Sequence, residues 1–146
     1  MGLIHTKYIK TSVVALFFII IFLSGQVASA ACEYYYDRPD LQCKISYQRP
    51  YKNYKDNMTK AWVSVKCTKT ARIVMMVDLQ QESFFGVWLT ADGDVKAKTT
   101  RYLKIEAKIG CRYGSWSDWR LVYTIKIDGK KLRKITTKPR PLRCDF

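Results

Sequence analysis

The sequence predicts an all-β protein, an antiparallel β-sandwich of about seven strands stapled by disulfides. Three observations carry that prediction. Apolar and polar residues alternate with period two in several short runs between residues 61 and 127. Turn residues separate those runs, Asp128-Gly129 most plainly. After residue 30, no run shows the period of an amphipathic helix.

The elements follow in order. Ala61–Cys67, "AWVSVKC", sets Val63, Val65 and Cys67 against Trp62, Ser64 and Lys66. Ala71–Leu79 is apolar on both faces in its middle, as in a strand covered on both sides. Ser83–Thr90, "SFFGVWLT", reads as a strand ended by a turn at Asp92-Gly93. Tyr102–Ile109 alternates most cleanly, with Leu103, Ile105, Ala107 and Ile109 opposite Lys104, Glu106 and Lys108. One face is therefore dry and one wet, as in an antiparallel sheet. Leu121, Tyr123, Ile125 and Ile127 repeat the pattern, and Asp128-Gly129 then supplies the two left-handed positions of a tight hairpin. On the returning strand Leu132 and Ile135 lie three apart, which calls for a bulge or an irregular strand. Two prolines bar Lys138–Phe146 from the middle of a sheet.

The chain divides into three parts. Residues 1–30 are expected to be a cleaved signal peptide: two lysines, an apolar run of eleven residues from Val13 to Leu23, then Ala28-Ser29-Ala30. Eleven helical residues rise about 16 Å, short of the ~30 Å bilayer core. Residues 31–60 hold six tyrosines among charges and two prolines, and read as a mostly looped segment packing on the domain. Residues 61–146 form the sandwich and its basic C-terminal hairpin. The location implied is secreted or periplasmic. The triplet Asn57-Met58-Thr59 is a glycosylation sequon in a eukaryotic secretory pathway.

Export makes the cysteines a disulfide framework. Five are present, so one is left over. The expected bridges are Cys32–Cys43 and Cys67–Cys111, with Cys144 unpaired or joined to a second chain and Cys111–Cys144 as the main competitor. No close cysteine pair and no histidine beyond residue 30 is present to build a zinc site, so neither metal nor cofactor is expected. The one histidine, His5, leaves with the signal, and imidazole-based catalysis leaves with it. The carboxylates are scattered, with Asp92 and Asp94 the nearest to a pair. A non-enzymatic protein is the expectation.

After residue 30, 24 Lys+Arg stand against 12 Asp+Glu, a net charge of +12. Such a charge draws anions in a salt-dependent way. It concentrates at Lys130, Lys131, Arg133, Lys134, Lys138, Arg140 and Arg143, seven cations with no acid before Asp145. These are the candidate anion-binding residues. Trp116, Trp119, Tyr34, Tyr35 and Tyr36 are the candidate aromatic contacts. Positions three apart on a regular strand face opposite ways, so only one of the two tryptophans belongs to the core unless the strand is bulged. Arg112, Arg120, Lys104 and Lys108 are placed to stack on aromatic rings.

"YLKIEAK" followed by "WSDWR" resembles the end of the fibronectin type III module of class I cytokine receptors, where a Trp-Ser-x-Trp-Ser box stacks with basic side chains. The similarity covers about twenty residues. It departs at Arg120, where the box has serine, and in the whole hairpin that follows. It implies an immunoglobulin/fibronectin III-like sandwich with tryptophans in a cationic ladder.

The functional expectation is a secreted binding module for an acidic partner: an anionic polysaccharide or an acidic extracellular protein, more than nucleic acid. The rivals are a cationic toxin or defence protein acting on anionic membranes, and a hydrolase working through carboxylates.

Overall fold

A computed structural model describes residues 32–111, 116–132 and 134–143. The expected signal peptide, Arg112, Arg133 and Cys144 lie outside the described residues. The rest is an all-β chain of eight antiparallel strands. They are β1 (Cys32–Arg38), β2 (Leu41–Asn53), β3 (Met58–Glu82), β4 (Trp88–Gly110), β5 (Trp116–Ile127), β6 (Lys130–Lys131), β7 (Ile135–Thr136) and β8 (Arg140–Arg143).

The long β3–β4 hairpin is the frame. Along one side of β3 lies β4; along the other, β2 pairs with its first half and β5 with its second. Between the halves the β3–β4 register jumps from Lys66 to Ala71, and there the hairpin bends. The bend is large. Asp92 and Lys108 belong to the same strand and would stand about 53 Å apart if β4 were straight. Instead the Asp92 carboxylate accepts the Lys108 N–H at 2.7 Å.

Alternation decides which side chains go inside. Ala61, Val63, Val65 and Cys67 continue on the same face as Ala71, Ile73, Met75, Val77 and Leu79, all buried. They join Ile45, Leu103, Ile105, Leu121, Tyr123, Ile125 and Ile127 in one core cluster. Burying that apolar surface is the main favourable term for a chain of this size.

Four expectations need correction. The tyrosine-rich segment is not mostly loop: β1 and β2 pair along their length, and alternation within "CEYYYDR" puts Tyr36 in the core and Tyr34 against it. Ser83–Val87 is not strand but the tip of the β3–β4 hairpin. Asp92-Gly93 is not a turn; β4 runs through it beside a register shift at Leu79/Gln80. A Cβ on Gly93 would lie 2.8 Å from the Asp78 carboxylate and 3.2 Å from the Val77 carbonyl, so glycine is there for close packing.

The expected Cys32–Cys43 and Cys67–Cys111 bridges are replaced by Cys43–Cys67. These residues face each other directly across β2 and β3, with Cα atoms 4.0 Å apart. Register, which linear spacing does not reveal, made the pair. Cys111 is also disulfide-bonded, to a partner outside this pair.

The Asp128-Gly129 hairpin forms as expected, with φ of 49° and 80°. The Asp128 carboxylate also accepts the Arg72 N–H at 2.8 Å, locking this turn onto β3. The returning chain is irregular: β6, β7 and β8 are short pieces laid in turn along β5.

Candidate functional site

Because β6, β7 and β8 follow β5 from end to end, the basic run of the sequence becomes one edge of the sheet. Pro139 and Pro141 fit there because an outermost strand leaves N–H positions unpaired. Lys130, Lys131, Lys134, Lys138, Arg140 and Arg143 are all exposed on it. Alongside the twelve residues of β5 the edge runs roughly 40 Å.

Its charges stand together without carboxylates among the described residues. Elsewhere four described cations hold carboxylates. Lys44 pairs with Glu33 at 2.8 Å, Lys60 with Asp56, Lys96 with Asp94 at 3.5 Å, and Arg38 with Asp40 and Asp128 at 3.4 Å. The Glu33 carboxylate raises the Lys44 pKa, and the Lys60 ammonium holds the Asp56 carboxyl below its usual range. Among the described residues, no ion pair engages Lys130, Lys131, Lys134, Lys138 or Arg140.

Register adds a further residue. Lys126 of β5 stands directly opposite Lys131 of β6. Like charges facing across a ladder destabilise it. Two other lysine pairs face each other in the sheet, Lys44 with Lys66 and Lys60 with Lys108. In both, one member is salt-bridged; in the Lys126/Lys131 pair neither is. Lys126 was legible only as a residue on a wet strand face, and pairing made it part of the basic edge.

The tryptophans separate as strand geometry requires. Trp119 is 4% exposed and joins the core, whereas Trp116 is 64% exposed. Tyr36 is also buried, and Tyr34 packs on the core. Tyr35 is exposed. Burial pushes the Tyr34 hydroxyl up to about 12, an effect the nearby Tyr123 hydroxyl offsets in part. The expected cation stacking exists but is distributed. Arg143 lies over Trp116 at 5.6 Å, Arg120 over Trp88 at 4.1 Å, Lys104 over Trp62 at 4.7 Å and Lys130 over Tyr36 at 5.8 Å. Among the described residues these cations therefore stack on four different rings and not in a single ladder.

Where the edge ends at β8, an open cleft of about 800 Å³ lies between the hairpin tip and β5. Phe84, Leu89, Ile109, Trp116 and Trp119 give it apolar walls, with Gln81 donating to Ser117 at 2.7 Å on its floor. The Trp119 Nε1–H finds no acceptor among the described residues.

Asp92 and Asp94 are engaged by different groups. Asp92 caps Lys108, while Asp94 accepts the Val95 N–H at 2.8 Å and pairs with Lys96. Among the described residues no cluster of three or more His, Cys, Asp or Glu side chains could hold a metal. Asn57 occupies the β2–β3 turn at φ 52°, with Thr59 of the sequon buried beside Cys111. No family model matches this sequence, and no curated protein matches it either.

Proposed function

We propose that this chain is an exported, non-enzymatic binding domain whose basic edge takes up an acidic partner, an anionic polysaccharide before an acidic protein. Within the proposal the bent sheet is a sandwich of the immunoglobulin/fibronectin III-like type. The doubling back of β4 and the single core shared by both halves of the hairpin support that reading. The basic N-terminal segment and the Cys43–Cys67 bridge are compatible with a signal peptide and an oxidising compartment.

One observation carries the function: on the edge Lys126 faces Lys131 with neither salt-bridged among the described residues, while each of the sheet's two other facing lysine pairs holds a carboxylate. Lysine and proline on short edge strands also block edge-to-edge aggregation. That task needs positive charge but gains nothing from opposing Lys126 to Lys131. A linear polyanion lying along the edge relieves their repulsion and releases its own counterions.

The test is a heparin column. Wild type is expected to elute well above physiological salt. Lys130→Gln/Lys131→Gln/Lys134→Gln/Lys138→Gln should elute far earlier and reduce the slope of log affinity against log salt by about 3, at ~0.7–0.9 per lost contact. Elution of wild type in the wash, or an unchanged slope in the variant, refutes the reading.

A further inference from the structure

The tip of the β3–β4 hairpin carries a set of exposed apolar side chains. Phe84 and Phe85 are fully or nearly fully exposed, and Val87 and Leu89 more than half. Trp116 extends this apolar surface from the neighbouring strand. Contiguous apolar exposure of this kind marks an interaction surface. The loop is also well made. The Ser83 N–H donates to the Val87 carbonyl at 2.8 Å, and the Gly86 N–H to the Ser83 carbonyl at 3.1 Å. Gly86, at φ 71°, permits that turn. The phenylalanines are thus carried on a closed loop with several backbone polar groups already bonded.

We infer that the Phe84-Phe85 tip is a membrane-docking wedge that enters the interface of an anionic lipid surface. Shape, backbone and charge favour this occupant. A protein partner needs a recess shaped to receive two phenylalanines, whereas lipid yields to any convex apolar loop. Backbone groups entering an apolar phase must be bonded internally, and the two loop hydrogen bonds meet part of that need. Trp116, an amphipathic ring suited to headgroup depth, lies beside the tip under the Arg143 guanidinium, and Arg140 is on the same short strand. Arginines at that level meet lipid phosphates, and the surplus of cations draws the whole domain to a negative surface. Glu82 and Asp118 also line the cleft beside the tip, so contact has to be made by the loop and not by the cleft floor.

This inference stands on the apolar tip and is separable from the basic-edge reading. Protein purified from the compartment of export, with its N-terminus read by mass spectrometry to account for Val13–Leu23, is sedimented with two kinds of vesicle. One is phosphatidylglycerol in phosphatidylcholine, the other phosphatidylcholine alone. Binding is expected to the anionic vesicles only. Phe84→Ser/Phe85→Ser should weaken it at least about tenfold while leaving heparin elution and thermal midpoint unchanged. No binding to anionic vesicles, or binding indifferent to the serine substitutions, overturns the inference while leaving heparin retention as a separate result. A wild-type dimer in sedimentation equilibrium that the serine variant abolishes also overturns it, by assigning the tip to a second copy.

Discussion

Removing the cross-strand bridge with Cys43→Ala/Cys67→Ala tests the reasoning about register most directly. The bridge spans a sequence separation of 24. Its chain-entropy effect on the unfolded state is about 12 cal/mol/K, or about 3.5 kcal/mol at 25 °C. The native state does not need the bond to bring these residues together. Both positions lie in a continuous ladder from Cys43/Cys67 to Gln48/Trp62, which holds them opposite each other. The substitution also removes two buried sulfur atoms, at 1% and 6% exposure, which adds to the loss. Urea unfolding followed by tryptophan fluorescence measures it, with buried Trp119 as a reporter. Peptide mapping under non-reducing conditions checks the pairing itself. A loss under about 1 kcal/mol, or a map linking Cys43 to any residue but Cys67, refutes the reasoning.

Two further outcomes follow from burial. Trp119→Ala should cost about 3–5 kcal/mol and Trp116→Ala less than about 1, because only Trp119 leaves a core cavity; the same urea assay separates them. Tyr34 titrates near 12 in the folded chain and near 10 when unfolded, because burial disfavours its phenolate. The folded state therefore holds this proton more tightly. Its contribution is complete below about pH 10 and is lost as pH rises towards 12. Tyr34→Phe should flatten the fall in stability across that window; an equally steep fall shows that burial of Tyr34 is not its cause.

The individual strands from 61 onwards were legible because alternation is a local property. "YLKIEAKI" shows its dry face without any knowledge of its neighbours, and Leu103, Ile105 and Ala107 are buried accordingly. The Asp128-Gly129 turn was legible for the same reason, since φ > 0 is required at those two positions alone. The N-terminal strands were obscured because tyrosine is both a strand former and a surface residue, and prolines and charges beside it gave a loop-like composition. The β3–β4 tip was obscured because two phenylalanines look like core. Their exposure depends on where the hairpin turns, and Ser83–Val87 closes through its own hydrogen bonds.

The candidate site shows the same division. Seven cations within residues 130–143 are a fact of composition, and the exposure of the six described ones follows from the cost of burying charge. Lys126, facing Lys131, required the register of β5 against β6. The fate of the tryptophan pair required the position of β5 between β3 and β8, which placed one ring inside and the other under Arg143.

By itself the sequence determined the all-β class, most of the strands from residue 61 onwards, the hairpin at Asp128-Gly129, the excess of positive charge and the loss of its one histidine with residues 1–30 if they are cleaved. These depend on single residues or on a period of two along the chain. Only the tertiary structure decided which cysteines met, where β3 and β4 bent, which aromatics stayed outside and which lysines were left facing one another. Each of those is a relation between residues far apart in sequence. It is settled by ladder register and by closure of one core, terms in which no local pattern takes part.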